Sequence, residues 1–262
     1  MPPGRVDGLV CDLDGVLYVG NGAVLGAPEA LAAIRRAGVR IVLATNNATL
    51  TPEGYASKLR EMGFAVDPAE ILTSARVTAE VLHRRGMAGQ RAYVIGADGL
   101  RDALLGVDVE PLPLERATEA DMVVVGADPS FTYASLRAAA DLARGGAPLI
   151  ATNPDPTYPS AHGLLPGAGS LVAAIETASG AVAEVMGKPN RPMMEAAARR
   201  LEGCRSVAAI GDQPLTDLAG ARSMGWRTIL VLSGVTDASA AASLSPAADH
   251  VLADITELPN LL

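Results

Sequence analysis

The sequence predicts an α/β protein: a doubly wound parallel sheet with a second α/β domain inserted into the chain. Three observations carry this. Short, continuously apolar runs alternate with segments of helical periodicity, the pattern of parallel strands covered by helices on both faces. Two acidic stretches, CDLDG (11–15) and GDQPLTD (211–217), close such runs, where open parallel sheets bind ligands. And 143 positions separate Thr45 from Lys188, far more than a connection within one sheet needs.

The elements follow in order. VDGLVCDL (6–13) reads as a strand. APEALAAIRRAG (27–38) reads as a helix, with Gly38 as its stop. VRIVLATNN (39–47) is a second strand. TPEGYASKLREMGF (51–64) is a second helix, with Thr51 as N-cap and Pro52 in its first position. RAYVIG (91–96), DMVVVGA (121–127) and APLIATN (147–153) are further strands. EVMGKPN (184–190) leads into the helix RPMMEAAARRL (191–201). SVAAIGD (206–212), the stretch TDLAGARSMG (216–225), the strand WRTILVLSG (226–234) and an edge strand in DHVLADI (249–255) complete the pattern. Asp14 and Thr45 are only 31 positions apart, room for one helix and one strand. The inserted domain is therefore placed at 83–183, and the core at 1–82 and 184–262.

Composition narrows the function classes. Hydrophobic residues are 49% of 262, so a large core forms without disulfides. The net charge of -8 speaks against binding a nucleic acid polymer, which requires basic surface. An anionic substrate would need a local cation to draw it in. Two cysteines without a CxxC motif fit a reducing cytoplasm. The start, MPPGRVDGLV, lacks the apolar core of a signal peptide, and no stretch is long enough for a membrane span. Of 21 basic residues only Lys58 and Lys188 are lysines, so each invites inspection.

The chemistry concentrates at strand ends. In an extended strand Asp12 and Asp14 face the same side, roughly 7 Å apart. A phosphorus centre fits between them, one carboxylate attacking and the other handling the leaving group's proton. Gly15 allows a sharp turn that offers backbone N–H groups. Two carboxylates and a phosphate dianion repel, so a positive partner is required. One candidate is a hard cation held by oxygen ligands, with Asp212 and Asp217 supplying further carboxylates. The other is Lys188 in GKP, a compact point charge. Thr45, Asn46 and Asn47 end a strand with a hydroxyl and amides suited to phosphate oxygens. Cys11 points to the opposite strand face and is expected in the core. LATNN (43–47) and IATNP (150–154) echo one another, either as two related sites or as convergent strand-to-loop chemistry. PGAGS (166–170) is read as a structural helix start.

DLDG, ATNN, GKP and GDxxxTD, in that order, resemble the four motifs of the haloacid dehalogenase superfamily. The stretches DGVLYVGNGAVLGAPEAL, TNPDPTYP, PGAGSL and TILVLSGVT are similar to its NagD-like, p-nitrophenylphosphatase-like branch. The resemblance implies a Rossmann-like core with a large α/β cap. It implies a Mg²⁺-dependent phosphatase of small phosphorylated metabolites, such as sugar, glycerol, glycolate, pyridoxal or nucleoside monophosphates. It makes Asp12 the nucleophile and Asp14 the general acid and base, with the Asp14 backbone carbonyl on the metal. Thr45 and the Asn46 backbone would hold phosphoryl oxygens, and Lys188 would balance charge. Asp212 would complete the Mg²⁺ site, and Asp217 would orient Lys188 or the water on the metal. Asn47 is either a turn residue or a phosphate contact. His162, in the cap stretch TYPSAHGLLPG, is either a substrate contact or a solvated loop residue. Gln213-Pro214 departs from the branch's more usual Arg-Leu. The resemblance also admits a homodimer through the cap. Two other functions share the motifs. A phosphomutase usually carries its cap in the first interval, too short here. A non-catalytic phosphometabolite-binding protein typically loses the nucleophile or the metal ligand, and neither is missing.

Overall fold

The computed structural model describes residues 6–160 and 163–261. The chain forms two compact units: Met1–Thr45, Glu53–Leu72 and Met193–Leu262 make the first, Asn46–Pro52 and Thr73–Pro192 the second.

The first unit is built on a six-stranded sheet. Its spatial order is His250–Leu252, Arg227–Val231, Val207–Gly211, Gly8–Cys11, Arg40–Thr45, Ile71–Thr73. Gly8–Cys11 runs parallel to both neighbours, with Cys11 level with Leu43 on one side and Ile210 on the other. It is buried throughout, and so is Arg40–Thr45 beyond its first residue. That double-sided burial is why these strands read as unbroken apolar runs. The helix Ala27–Arg36 buries Ala27, Ala30, Leu31 and Ile34, one stripe at helical spacing. The chain leaves it through Gly38 at φ 83°, a left-handed conformation that suits glycine. Pro52 opens the helix Pro52–Glu61, and His250–Leu252 lies at the sheet edge, both as expected.

The first strand is shorter than the expected 6–13 and stops at Cys11. Asp12 N–H still donates to the Ile210 carbonyl at 3.0 Å, but the Leu13 carbonyl accepts from Leu17 N–H at 2.9 Å and winds the chain into a turn. The extended-strand argument for Asp12 and Asp14 therefore does not hold. Asp12 sits at the strand exit and Asp14 in the turn beyond it. TDLAGARSMG likewise starts inside a wide π-type turn at Pro214–Leu218, followed by the short helix Ala219–Ser223.

The second unit holds a five-stranded sheet, in the order Glu184–Val185, Leu149–Ala151, Met122–Val125, Arg91–Ile95, Glu110–Leu112, with each neighbouring pair parallel. Its core gathers Tyr93, Ile95, Val123, Val125, Leu149 and Ile175. EVMGKPN contributes only the two-residue strand Glu184–Val185 before turning toward Lys188. In PGAGS, a Cβ on Gly167 or Gly169 would strike the carbonyls of Asp155 or Pro154. These glycines serve close backbone packing.

Candidate active site

Within the first unit, three neighbouring strands end at one level and deliver Thr45, Asp12 and Asp212. Thr45 is the last residue of its strand, and Asp12 and Asp212 each lie one residue past theirs. All three are buried. Asp217 is brought to the same place by the π-type turn, which its own N–H helps close by donating to the Gln213 carbonyl at 2.9 Å. Its carboxylate folds back over Gly211, where any Cβ would overlap it. It also accepts from Gln213 N–H at 3.1 Å.

Asp12, Asp212 and Asp217 each present a carboxylate oxygen within 4.8 Å of the others. Three buried carboxylates at that separation repel strongly unless a cation or protons balance them. An all-oxygen, carboxylate-rich donor set is the environment of a hard divalent cation. The residues present therefore fit such an ion. Asp217, expected behind the metal, joins this cluster.

Two neighbours past the next strand hold Asp212. Its Oδ2 accepts from Val235 N–H at 2.7 Å, and its carbonyl accepts from the Thr236 hydroxyl at 2.6 Å. A Cβ on Gly15 or Gly234 would collide with the Asp212 carboxylate, so both glycines exist for close approach as well as for turning. Gly15 sits at φ 80°. Its N–H donates to the Tyr18 carbonyl at 2.8 Å, and its own carbonyl accepts from the Ser233 hydroxyl at 2.6 Å. Its amide is thus used inside the turn, which corrects the expectation that it faces phosphate. Asp14, half-buried, accepts from the Tyr18 hydroxyl at 2.8 Å.

Within the second unit, Asn46 is a clamp on the GKP loop. Its Oδ1 accepts from Lys188 N–H at 2.7 Å, and its Nδ2 donates to the Lys188 carbonyl at 3.0 Å and to Asp155 Oδ2 at 3.0 Å. Its carbonyl accepts from Asn153 Nδ2 at 2.7 Å and from the Ser74 hydroxyl. The two ATN stretches thus interlock: the asparagine of one holds the backbone of the other, and together they seat Lys188. The Asn46 side chain is committed to this clamp. Asn47 Oδ1 accepts from the N–H and hydroxyl of Thr49, at 3.0 and 2.7 Å, which makes it a turn residue. Lys188 is buried. His162 lies outside the described residues.

The clamp explains Gly187. A Cβ there would come within 2.5 Å of Asn46 Oδ1 and 2.6 Å of the Thr152 carbonyl. Gly187→Ala is expected to destabilise the protein by about 1–3 kcal/mol, read as a lower Tm in thermal unfolding. An unchanged Tm would mean that the loop yields at no cost.

Sequence reasoning missed the parts of Tyr18, Ser233, Val235 and Thr236. Ser233 lies 218 positions from the Gly15 carbonyl it secures, Val235 and Thr236 lie 23 and 24 positions from Asp212, and nothing local marks them.

Residues 9–110 match the haloacid dehalogenase-like hydrolase family, and residues 185–258 match a second, HAD-hydrolase-like family. The acid sugar phosphatase of Staphylococcus aureus is 35% identical over 226 residues, 86% of each chain. The chain belongs to the haloacid dehalogenase superfamily. Among solved structures, NagD from E. coli superposes on this member of the superfamily with a TM-score of 0.87 at 32% identity, covering 96% of this chain and 98% of that one. That places the present haloacid dehalogenase protein in the NagD-like branch. The glycerol phosphate phosphatase of Mycobacterium tuberculosis, solved with magnesium, gives 0.88 at 34% identity over 97% of this chain and 76% of its own. The acidic cluster of this haloacid dehalogenase protein has the donor set of a divalent-metal site. No helix among its described residues is long and apolar enough to cross a membrane.

Proposed function

We propose that the protein hydrolyses small phosphomonoesters through an aspartyl-phosphate on Asp12, with Mg²⁺ as the cation. The observation that carries this is the buried Asp12 at the exit of the central strand, in one cluster with Asp212 and Asp217, with Asp14 held two residues on. Relatives named for sugar and glycerol phosphates make these the first substrates to test. Glycolate, pyridoxal and nucleoside monophosphates follow.

The residues divide the work as follows. An Asp12 oxygen attacks phosphorus, and the ester P–O bond breaks as Asp14 gives its proton to the departing oxygen. Asp14, now a carboxylate, takes a proton from water. The water oxygen attacks phosphorus and breaks the bond to Asp12. Inorganic phosphate leaves, and both aspartates return to their first state. The Thr45 hydroxyl and Asn46 N–H orient the phosphoryl oxygens, and the Lys188 ammonium offsets their charge. Asp12, Asp212 and the Asp14 carbonyl would hold Mg²⁺, with Asp217 beside them; when bound, the ion neutralises charge on the phosphoryl group. Segment 83–183 acts as the cap that excludes water and reads the rest of the substrate. The enzyme works in the cytoplasm, and its cap is the face for a homodimer.

The test is phosphate release across a panel of phosphomonoesters, with and without EDTA. Turnover of sugar or glycerol phosphates that EDTA abolishes and Mg²⁺ restores is expected. Transfer of phosphate within one substrate without release would instead indicate a mutase, and tight binding without turnover a binding protein.

A further inference from the structure

Lysine is scarce in this chain, and the proposed mechanism uses only one of the two. The other, Lys58, lies on the helix Pro52–Glu61 and is half-buried. Its ammonium sits 3.9 Å from the centroid of the Tyr18 ring, within the range of a cation–π contact. Tyr18 is fully buried. Its hydroxyl donates to Asp14 Oδ2 at 2.8 Å, and its carbonyl closes the turn through Gly15 N–H at 2.8 Å. The backbone and hydroxyl of one residue therefore bind the turn that carries Asp14, and its ring meets Lys58.

We propose that Tyr18 is a positioning residue for Asp14 and that Lys58 holds the Tyr18 ring in place, so that the Asp14 carboxylate keeps one rotation and meets the leaving oxygen in each turnover. The inference rests on the reading of Asp14 as general acid. A carboxylate on a turn rotates about its Cβ–Cγ bond; a short phenol hydrogen bond to one oxygen stops that rotation. Burial first, and the Asp14 charge after it, push the Tyr18 phenol above its ordinary value, so it remains an O–H donor. Burial lowers the Lys58 ammonium, and the Asp14 charge partly restores it, which registers the same three-residue proximity.

The leaving group separates positioning from mere structural support. p-Nitrophenolate departs as an anion with little help, whereas the glycerol alkoxide needs a proton. Because kcat/KM counts only the steps through leaving-group departure, it isolates the acid role from later water attack. Tyr18→Phe keeps the ring volume and removes the donor. It is expected to lower kcat/KM for glycerol 3-phosphate about tenfold more than for p-nitrophenyl phosphate, a part of what general acid catalysis supplies. Lys58→Met is expected to shift the ratio in the same direction by about threefold, and Lys58→Arg to restore it, since a guanidinium also stacks on the ring. An equal fall on both substrates, or no fall, in Tyr18→Phe and Lys58→Met would overturn the inference while leaving the phosphatase reading intact. Wild-type protein that hydrolyses neither substrate would overturn that reading first.

Discussion

Asp12→Asn is expected to lower kcat on any accepted phosphomonoester by about three orders of magnitude or more, with the fold retained. The amide has the carboxylate's shape but cannot form the covalent intermediate, and loss of a nucleophile costs on this scale in enzymes whose groups act as a unit. The same change has a second readout. Asp12 shares a buried cluster with two other carboxylates, so replacing it with a neutral amide relieves repulsion when no cation is bound. In EDTA the variant should melt at the same temperature as the wild type or higher. In Mg²⁺ its gain in Tm should shrink, because one ligand to the ion is gone and stabilisation by binding scales with affinity. Stopped assays for phosphate together with paired melting curves check both. Residual activity within tenfold of the wild type would remove the covalent route.

Lys188→Arg is expected to lower kcat by about a hundredfold although the charge is kept. Lys188 is only 4% exposed, and its backbone is held on both sides by the Asn46 side chain. A guanidinium is wider and planar and delivers its charge in a fork. In a packed site it cannot be accommodated without displacing its neighbours, and a displacement of about 1 Å at a reacting centre costs this much. Steady-state kinetics on p-nitrophenyl phosphate decide it. A near-normal rate would show that the site needs a positive charge and not a compact one.

Much of this was legible in the residues. Alternating apolar runs and helical segments foretold the strands Gly8–Cys11, Arg40–Thr45 and Val207–Gly211, because a strand buried on both faces has no polar positions to interrupt it. The motif acids fell where parallel strands end. The short strands Ile71–Thr73 and Glu110–Leu112 were not legible: three residues are too few to show a period. The path of the chain after Cys11 was also misread. An apolar run with two acids looks extended, and only the hydrogen bonds of Leu13 and Gly15 reveal the turn. Asn46 stood as a phosphate contact on its amide chemistry, and nothing nearby in sequence shows that its side chain holds Lys188, 142 positions away.

The order of residues was enough to settle the class of fold, the acids at the strand ends and the superfamily, because burial, turn chemistry and motif spacing are written locally along the chain. Which partner each group takes was decided in three dimensions: Asp217 beside Asp12, Tyr18 on Asp14, Val235 on Asp212, Asn153 on Asn46. Apart from Tyr18 and Asp14, four positions apart in one turn, those pairings join segments that are separated along the chain and meet only in the folded structure, and a hydrogen bond's donor and acceptor carry no mark in sequence of whom they will meet.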